Sequence, residues 1–169
     1  QIIGVVKAYT TRVGAGPFPT ELTDALGDSI REAGHEFGTT TGRPRRCGWL
    51  DACVLRYARD ISGIDAMALT RLDILGHLPA LKICARYRHQ GQLLEEFPAS
   101  LKVLGQVEPV YEEMPGWQSD ISGVRRYEDL PAACRAYVER LVALSGMRAA
   151  IISVGPARDQ TIIREAMFE

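Results

Sequence analysis

The sequence predicts a single α/β domain of the mixed α+β type, with strands flanked by helices and ligand-binding loops at strand ends. Two stretches, residues 49–61 and about 129–145, place apolar residues at steps of three and four, as amphipathic helices do. Short apolar runs predict three buried strands, at residues 2–8, 67–70 and 149–154. Because strands and helices alternate without repeats or a long linker, we expect one domain over residues 1–169.

The chain opens with a predicted strand, a loop and a helix. The first apolar run has no initiator Met and no turn leading into it, which suggests a piece of a longer protein. Residues Arg12–Pro19 form a Gly/Pro loop, either a rigid connection or a loop whose backbone lines a ligand. A helix is expected to begin at Pro19 or Thr20 and to end at Gly34.

The middle of the chain is predicted to hold a second loop, a helix and further strands. Loop 38–48 runs straight into the helix that begins near Trp49, and Gly63 ends this helix. Alternating or extended patterns predict two more strands, at residues 81–88 and 107–111.

The last third is predicted as a helix followed by a strand. Asp129 is expected to cap the helix, Pro131 is tolerated in its first turn, and Gly146 closes it. The apolar strand that follows ends in Ser153-Val154-Gly155-Pro156.

Composition excludes several classes of function. The formal net charge of -1 gives no global basic field for nucleic acid or for an anionic membrane. No stretch approaches the ~20 apolar residues that a membrane span needs. The four cysteines form no C-x-x-C pair and the three histidines are scattered, so no zinc site is predicted. We expect reduced thiols in a cytoplasmic protein.

The loop at residues 38–48 is unusually dense in hydroxyl, glycine and guanidinium groups. Its central residues are Thr39, Thr40, Thr41, Gly42, Arg43, Pro44, Arg45 and Arg46. Arginine binds carboxylate or phosphate through two hydrogen bonds, and glycines let backbone N–H groups approach an anion. The predicted helix N-terminus after the loop also favours negative charge. The pattern indicates an anion site, the alternative being a solvated basic loop.

Two predicted strand ends carry polar residues that suit a purine base. Arg71-Leu72-Asp73 follows one buried strand, and Ser153-Val154-Gly155 ends another. A carboxylate accepts two hydrogen bonds from the N1–H and amine of guanine, a donor pair that adenine lacks. Asp73 is therefore a candidate guanine reader, with Arg71 placed to cover the base. The alternatives are a solvated strand end and a simple turn.

Taken together, these stretches resemble adenylosuccinate synthetase along the whole chain. The strings that carry the resemblance are residues 6–22, 36–51, 69–73, 110–117 and 152–156. The resemblance implies the carboxy-terminal subdomain of that fold. It also implies a ligase of AMP synthesis in which GTP phosphorylates the 6-oxygen of IMP and the amine of aspartate then displaces that phosphate.

The resemblance also implies roles for individual residues. Thr39 to Arg45 would recognise aspartate, and Val13 and Arg43 would contact IMP. The residues implied in GTP binding are Arg45, Arg71, Leu72, Asp73, Ser153, Val154 and Gly155. Family members are generally homodimers, and Mg²⁺ is the implied metal ion.

The chain departs from the family pattern in two ways. Arg71 stands where the family usually carries Lys; Arg keeps the charge but is bulkier. Nothing matches the phosphate-loop string G-D-E-G-K-G, so no catalytic residue and no metal ligand is predicted here. The magnesium ligands are expected in an amino-terminal region outside this chain. Without that region, this chain is expected to be inactive. A stand-alone guanine-nucleotide binding module is the alternative, and a nucleic-acid binder using Arg43 to Arg46 is disfavoured.

Overall fold

Ten strands, four α-helices and two short 3-10 helices (Asp73–His77 and Tyr127–Asp129) form within residues 1–165, which are the residues described by this computed structural model. The strands are β1 (Ile3–Lys7), β2 (Thr10–Arg12), β3 (Arg46–Gly48), β4 (Leu50–Asp51), β5 (Ala66–Thr70), β6 (Ala80–His89), β7 (Gln92–Leu94), β8 (Glu108–Pro115), β9 (Arg148–Ser153) and β10 (Thr161–Ile163). The helices are α1 (Ala25–Ala33), α2 (Ala52–Ser62), α3 (Leu101–Leu104) and α4 (Ala132–Ser145). This confirms the mixed α/β class, while the end of the predicted 1–169 domain lies outside the described residues.

The first sheet has the order β1-β5-β9-β10 and positions the predicted ligand loops. Its first three strands are parallel, with Lys7 opposite Thr70 and Leu69 opposite Ile152. The carboxyl ends of parallel strands meet at one edge, where open sheets bind ligands. The segments after Lys7, Thr70 and Ser153 therefore leave the sheet side by side.

Two smaller sheets complete the framework. Strands β2 and β3 form an antiparallel pair, and β6 joins β4, β7 and β8 in the other sheet. Leu81, Ile83 and Tyr87 of β6 are fully buried, as the alternating pattern predicts. This sheet packs against α2, which in turn packs against α4.

Helix α4 closes the core and fastens the end of β1. Its residues Cys134, Tyr137, Val138 and Leu141 are fully buried, as predicted from their spacing. The Tyr137 hydroxyl donates a 2.7 Å hydrogen bond to the carbonyl of Ala8. A buried side chain of the helix thereby holds the backbone that leads from β1 into the ligand-loop edge.

The structure corrects the predicted starts of α1 and α4. Helix α1 begins at Ala25 with Asp24 as its cap, because Glu21 bridges to Gly48 and extends the backbone before the helix. The cap of α4 is Pro131, since the Asp129 carboxylate is paired with Arg126 at 2.8 Å. The predicted ends at glycines 34, 63 and 146 are confirmed.

Helix α2 differs from its prediction at its start and on its face. It begins at Ala52, not near Trp49, because β3 and β4 intervene. The Asp51 carboxylate caps it by accepting hydrogen bonds from the backbone N–H groups of Cys53 (3.0 Å) and Val54 (3.3 Å). The α2 N-terminus is therefore already occupied by this carboxylate and adds nothing to the anion site expected in loop 38–48. Its apolar stripe is also only partly buried, with Ile61 66% exposed.

Candidate functional site

The predicted anion loop is a hairpin with a narrow turn. Backbone N–H groups donate from Arg45 to Glu36 (2.9 Å), from Gly38 to Arg43 (2.9 Å), and from Gly42 to Gly38 (2.8 Å). Gly42 has a φ of +65°, which glycine adopts without the strain that a side chain would bring. These bonds hold the two arms of the hairpin together and leave residues 39–41 exposed at its tip.

A cavity of about 170 Å³ lies between this hairpin and the Gly/Pro loop after β2. The residues that line it are Arg12, Val13, Gly14, Gly38, Thr41, Arg43, Pro44, Arg45 and Arg46. The structure thus brings Val13 together with Arg43 and Arg45, although their loops are about thirty residues apart in the sequence. Thr39 and Thr40 stand outside this lining.

The three arginines of the hairpin have different surroundings. Arg46 holds the Glu21 carboxylate through Nε (2.7 Å) and Nη2 (2.5 Å), and it donates to the carbonyls of Gly14 (2.9 Å) and Gly16 (2.8 Å). The Arg43 side chain is exposed and makes no side-chain hydrogen bond within residues 1–165. Arg46 is therefore a structural clamp for the Gly/Pro loop, and the expected group of three anion-binding arginines shrinks to Arg43 and Arg45.

Arg12 lines this cavity and Glu36 contacts its residue Arg45, and neither was predicted as a site residue from the sequence. Arg12 donates to the carbonyl of Pro17 at 2.9 Å, while its Nε is buried without a hydrogen-bond partner among the described residues. Glu36 is 1% exposed and accepts hydrogen bonds from Lys7, Tyr9 and Arg45. The signal for Glu36 is a lone carboxylate directly before a basic loop, which many surface glutamates share.

A second and larger cavity, of about 540 Å³, lies beside Asp73. Its lining residues are Ala33, Asp73, Ile74, Gly76, His77, Gln118, Ser119 and Asp120. The Asp73 oxygen Oδ1 is buried without a hydrogen-bond partner among residues 1–165. Burial raises the pKa of this carboxyl, although the charge of Arg71 opposes the shift. An unpaired buried carboxylate oxygen beside a cavity fits a ligand that brings N–H donors.

Residues 118–120 form a cavity wall that sequence reasoning missed. Gln118 has a positive φ of 43°, so the chain reverses after Trp117 and carries Ser119 and Asp120 over the cavity. The only signal in the sequence is Pro115-Gly116-Trp117, a string typical of a turn, which marks a change of direction and not a ligand contact.

Arg71, Leu72 and Val154, which are predicted with Asp73 to bind GTP, lie in different surroundings. Arg71 has a φ of +64°, and its Nη1 donates to the carbonyl of Gly34 at 3.2 Å. Leu72 and Val154 are fully buried in the hydrophobic core. Their side chains therefore face away from any ligand, and they have only backbone groups to offer.

Ser153 and Gly155 leave the sheet next to the Asp73 strand but do not line the Asp73 cavity. The Ser153 hydroxyl donates to the carbonyl of Gly155 at 2.8 Å. A Cβ on Gly155 would lie 2.3 Å from Gln160 Oε1, which is closer than packing allows. The two residues form a tight turn at the same sheet edge as Asp73.

One buried cluster resembles a metal site in spacing but not in chemistry. Among the described residues, Asp51, Cys53 and Cys84 bring ligand atoms within 4.8 Å of one another. Asp51 already caps α2 and accepts a 2.5 Å hydrogen bond from the Tyr87 hydroxyl, while Arg56 Nη2 lies 3.3 Å from Cys53 Sγ. Two sulfurs beside a guanidinium do not fit Mg²⁺, which takes oxygen ligands. The four cysteines are buried thiols without a disulfide.

The helices of residues 1–165 are too short or too polar for any of them to cross a membrane.

Comparisons with known proteins match nearly the full length of this chain to one family. The family model described as adenylosuccinate synthetase matches residues 1–162. The adenylosuccinate synthetase of Desulforamulus reducens is 60% identical, with 99% of this chain and 39% of that protein covered. That of Heliobacterium modesticaldum is 62% identical, with 96% and 38% covered. The chain thus spans about two fifths of the length of the curated relatives it matches.

A solved structure also resembles the chain closely. It is the fully ligated adenylosuccinate synthetase from Plasmodium falciparum, 41% identical with a TM-score of 0.92. The match covers 96% of this chain and 39% of that one.

Proposed function

This chain belongs to the adenylosuccinate synthetase family, and we propose that within a complete synthetase it supplies binding surfaces for the GTP-dependent ligation of L-aspartate to IMP. The products are adenylosuccinate, GDP and phosphate, in the first committed step of AMP synthesis. The observation that carries the proposal is the buried, unpartnered Asp73 oxygen beside a cavity at the carboxyl edge of the sheet. In this proposal the chain is the carboxy-terminal, substrate- and guanine-binding part of the ligase.

Asp73 is the proposed guanine reader. Guanine offers N1–H and its exocyclic amine side by side, and both carboxylate oxygens of Asp73 can accept from them. Leaving a buried acceptor unpaired costs about 1–3 kcal/mol, so a base that satisfies it is selected over one that does not. Arg71 would cover the base. Ser153 and Gly155, which lie at the same sheet edge outside the Asp73 cavity, would extend the pocket together with the backbone of Leu72 and Val154.

The hairpin is the proposed aspartate site. Its exposed tip offers the hydroxyls of Thr39, Thr40 and Thr41. Gly42 and Pro44 shape the turn, since the Gly42 N–H is already bonded to the Gly38 carbonyl and Pro44 has no N–H. Arg43 and Arg45 line the adjacent cavity and suit carboxylate groups in a bidentate geometry. IMP would lie against Val13 and Arg43, where the buried Arg12 Nε adds an unpaired donor. Arg45 would also approach the GTP phosphates.

The proton and phosphoryl transfers are assigned to residues outside this chain. The carboxylates of Glu21, Glu36 and Asp51 serve hydrogen bonds and a helix cap, and Asp73 is the proposed guanine reader, so none of them is proposed as a catalytic acid or base. Mg²⁺ would be held by the remaining region, where it neutralises phosphate charge when bound. What residues 1–165 do is bind and orient the substrates.

Activity of the chain alone and in the complete enzyme tests this division. The purified 169-residue chain is expected to form no adenylosuccinate from IMP, aspartate and GTP. A complete synthetase that contains these residues is expected to form it under the same conditions. Turnover by the isolated chain would contradict the assignment of chemistry to the rest of the protein.

A second candidate is a guanine-nucleotide binding module without catalysis. The Asp73 cavity favours it, because a buried carboxylate oxygen suited to guanine lies beside a space of about 540 Å³. Calorimetric titration of GDP into the purified chain should then give saturable heat that weakens in Asp73→Ala. Flat titration curves would rule this candidate out while leaving the ligase proposal intact.

We further propose that the complete enzyme works in the cytoplasm as a homodimer, as the family resemblance implies. Sedimentation of the complete protein checks the dimer, since a monomer at working concentration would contradict it.

A further inference from the structure

Glu36 is a buried carboxylate that joins two cations at the base of the hairpin. Its Oε1 accepts hydrogen bonds from Lys7 Nζ (2.7 Å) and from the Tyr9 hydroxyl (2.7 Å). Its Oε2 accepts one from Arg45 Nη1 at 2.8 Å. Among the described residues these three donors come from the end of β1, the segment after it, and the far arm of the hairpin.

The surroundings of Glu36 keep it ionised. Burial alone would raise the pKa of this carboxyl, but hydrogen bonds from Lys7, Tyr9 and Arg45 outweigh burial, and the pKa lies below its usual range. Burial and the bond to Glu36 raise the pKa of Tyr9, so its hydroxyl remains a donor. A buried carboxylate is tolerated only with such partners, and removal of one partner leaves the rest uncompensated.

Arg45 is held at three points, two of them on Glu36. Its backbone N–H donates to the Glu36 carbonyl at 2.9 Å, and its own carbonyl accepts from Arg31 Nε at 2.8 Å. Its Nη1 bonds the Glu36 carboxylate, which aims the guanidinium, and the remaining guanidinium nitrogens make no hydrogen bond within residues 1–165. The Arg45 side chain is 34% exposed and lines the cavity shared with Arg43.

We propose that Glu36 is a positioning residue that holds the Arg45 guanidinium in the orientation in which it binds the anionic substrate. This inference rests on the proposed function of the hairpin. A guanidinium fixed before binding loses less conformational freedom when the ligand arrives, so its bond contributes more to affinity. Glu36 touches no substrate itself and acts through Arg45.

The test uses the complete synthetase and the variants Glu36→Gln, Arg45→Ala and the double variant. Glu36→Gln keeps the shape but removes the charge, and it should raise the KM for aspartate about 10-fold or more, as for loss of a charge-assisted hydrogen bond. In the Arg45→Ala background the same change should alter the KM less than about 2-fold, because residues that act through one another are non-additive. Glu36→Asp should recover part of the loss.

Glu112→Gln is the matched control. Glu112 is likewise bound by an arginine, with Arg140 Nε at 2.6 Å and Nη2 at 2.7 Å, but it lies on β8 away from the hairpin. Its kinetics should match wild type.

Three other outcomes would overturn the proposal or the proposed function on which it rests. An unchanged aspartate KM in Glu36→Gln, with Arg45→Ala impaired, would overturn the role of Glu36 alone. Full additivity of the two changes would mean a merely structural role and would also overturn it. A normal aspartate KM in Arg45→Ala would instead contradict the proposed function of the hairpin.

Discussion

Arg43 and Arg46 stand three residues apart and are expected to fail differently when replaced. Arg46 is fully engaged with Glu21 and the carbonyls of the Gly/Pro loop, and Arg43 has no such partner within the described residues. In the complete synthetase, Arg43→Leu should raise the KM for substrate about 10-fold or more and leave the thermal midpoint unchanged. Arg46→Leu should lower the thermal midpoint.

Steady-state kinetics and thermal unfolding of both variants check this division. Unchanged kinetics in Arg43→Leu, or a normal midpoint in Arg46→Leu, would contradict the assigned roles.

The lowered pKa of Glu36 makes a signed prediction for stability. A carboxyl with a folded pKa below its usual value of about 4.5 stabilises the fold above that value, and loses this contribution as pH falls through the folded pKa. Glu36→Gln should therefore be less stable than wild type near neutral pH, and the gap should narrow at pH below 4.5. Urea unfolding at both pH values measures the gap, and a gap that widens in acid would contradict the assigned charge.

At the scale of secondary-structure elements, sequence patterns predicted the strands and helices that have a clear apolar run or helical spacing. Strands β1, β5 and β9 and the body of α4 follow from apolar spacing, and the three terminal glycines mark helix ends. The start of α2 could not be predicted, because Trp49-Leu50-Asp51 continues the helical pattern. Strand β4 instead forms by pairing with β6, where Leu50 lies opposite Ile83 and Asp51 opposite Cys84, more than thirty residues away.

Substitution of Asp51 tests its role as the N-cap of α2. Asp51→Ala removes the N-cap, worth about 1 kcal/mol, and leaves the buried Tyr87 hydroxyl unpaired, at about 1–3 kcal/mol. The complete protein should lose about 2 kcal/mol or more of stability in urea unfolding. Asp51→Asn keeps an acceptor for the cap and should lose less; equal losses in both variants would contradict the capping role.

At the scale of the site, sequence reasoning proposed the residues whose chemistry is visible in short strings. Asp73 and the hairpin arginines are of this kind. Glu36 and residues 118–120 were missed because they act on residues distant in the sequence. Glu36 contacts Arg45, 9 residues later, and residues 118–120 line the cavity of Asp73, about 45 residues earlier. The support expected from the helix N-terminus for the anion site is absent, because the Asp51 carboxylate caps α2 there.

At the scale of the whole molecule, β1 is the edge strand of its sheet in residues 1–165 and exposes Val5 at 78%. Since the chain spans about two fifths of its relatives, we expect the rest of a complete synthetase to cover this edge. Val5→Lys should then lower the thermal midpoint of the complete enzyme. Leu101→Lys, at a 70% exposed position on α3, should not. Equal midpoints for Val5→Lys and wild type would mean that the edge stays open.

The most direct test of guanine recognition by Asp73 is the base preference of the complete synthetase carrying Asp73→Asn. Xanthine has a second carbonyl where guanine has its amine, and an asparagine amide can donate to it. We predict that kcat/KM with GTP falls at least about 10-fold and that the enzyme gains use of xanthosine triphosphate. Unchanged use of GTP, with no gain for xanthosine triphosphate, would contradict the assignment of the guanine pocket to this chain.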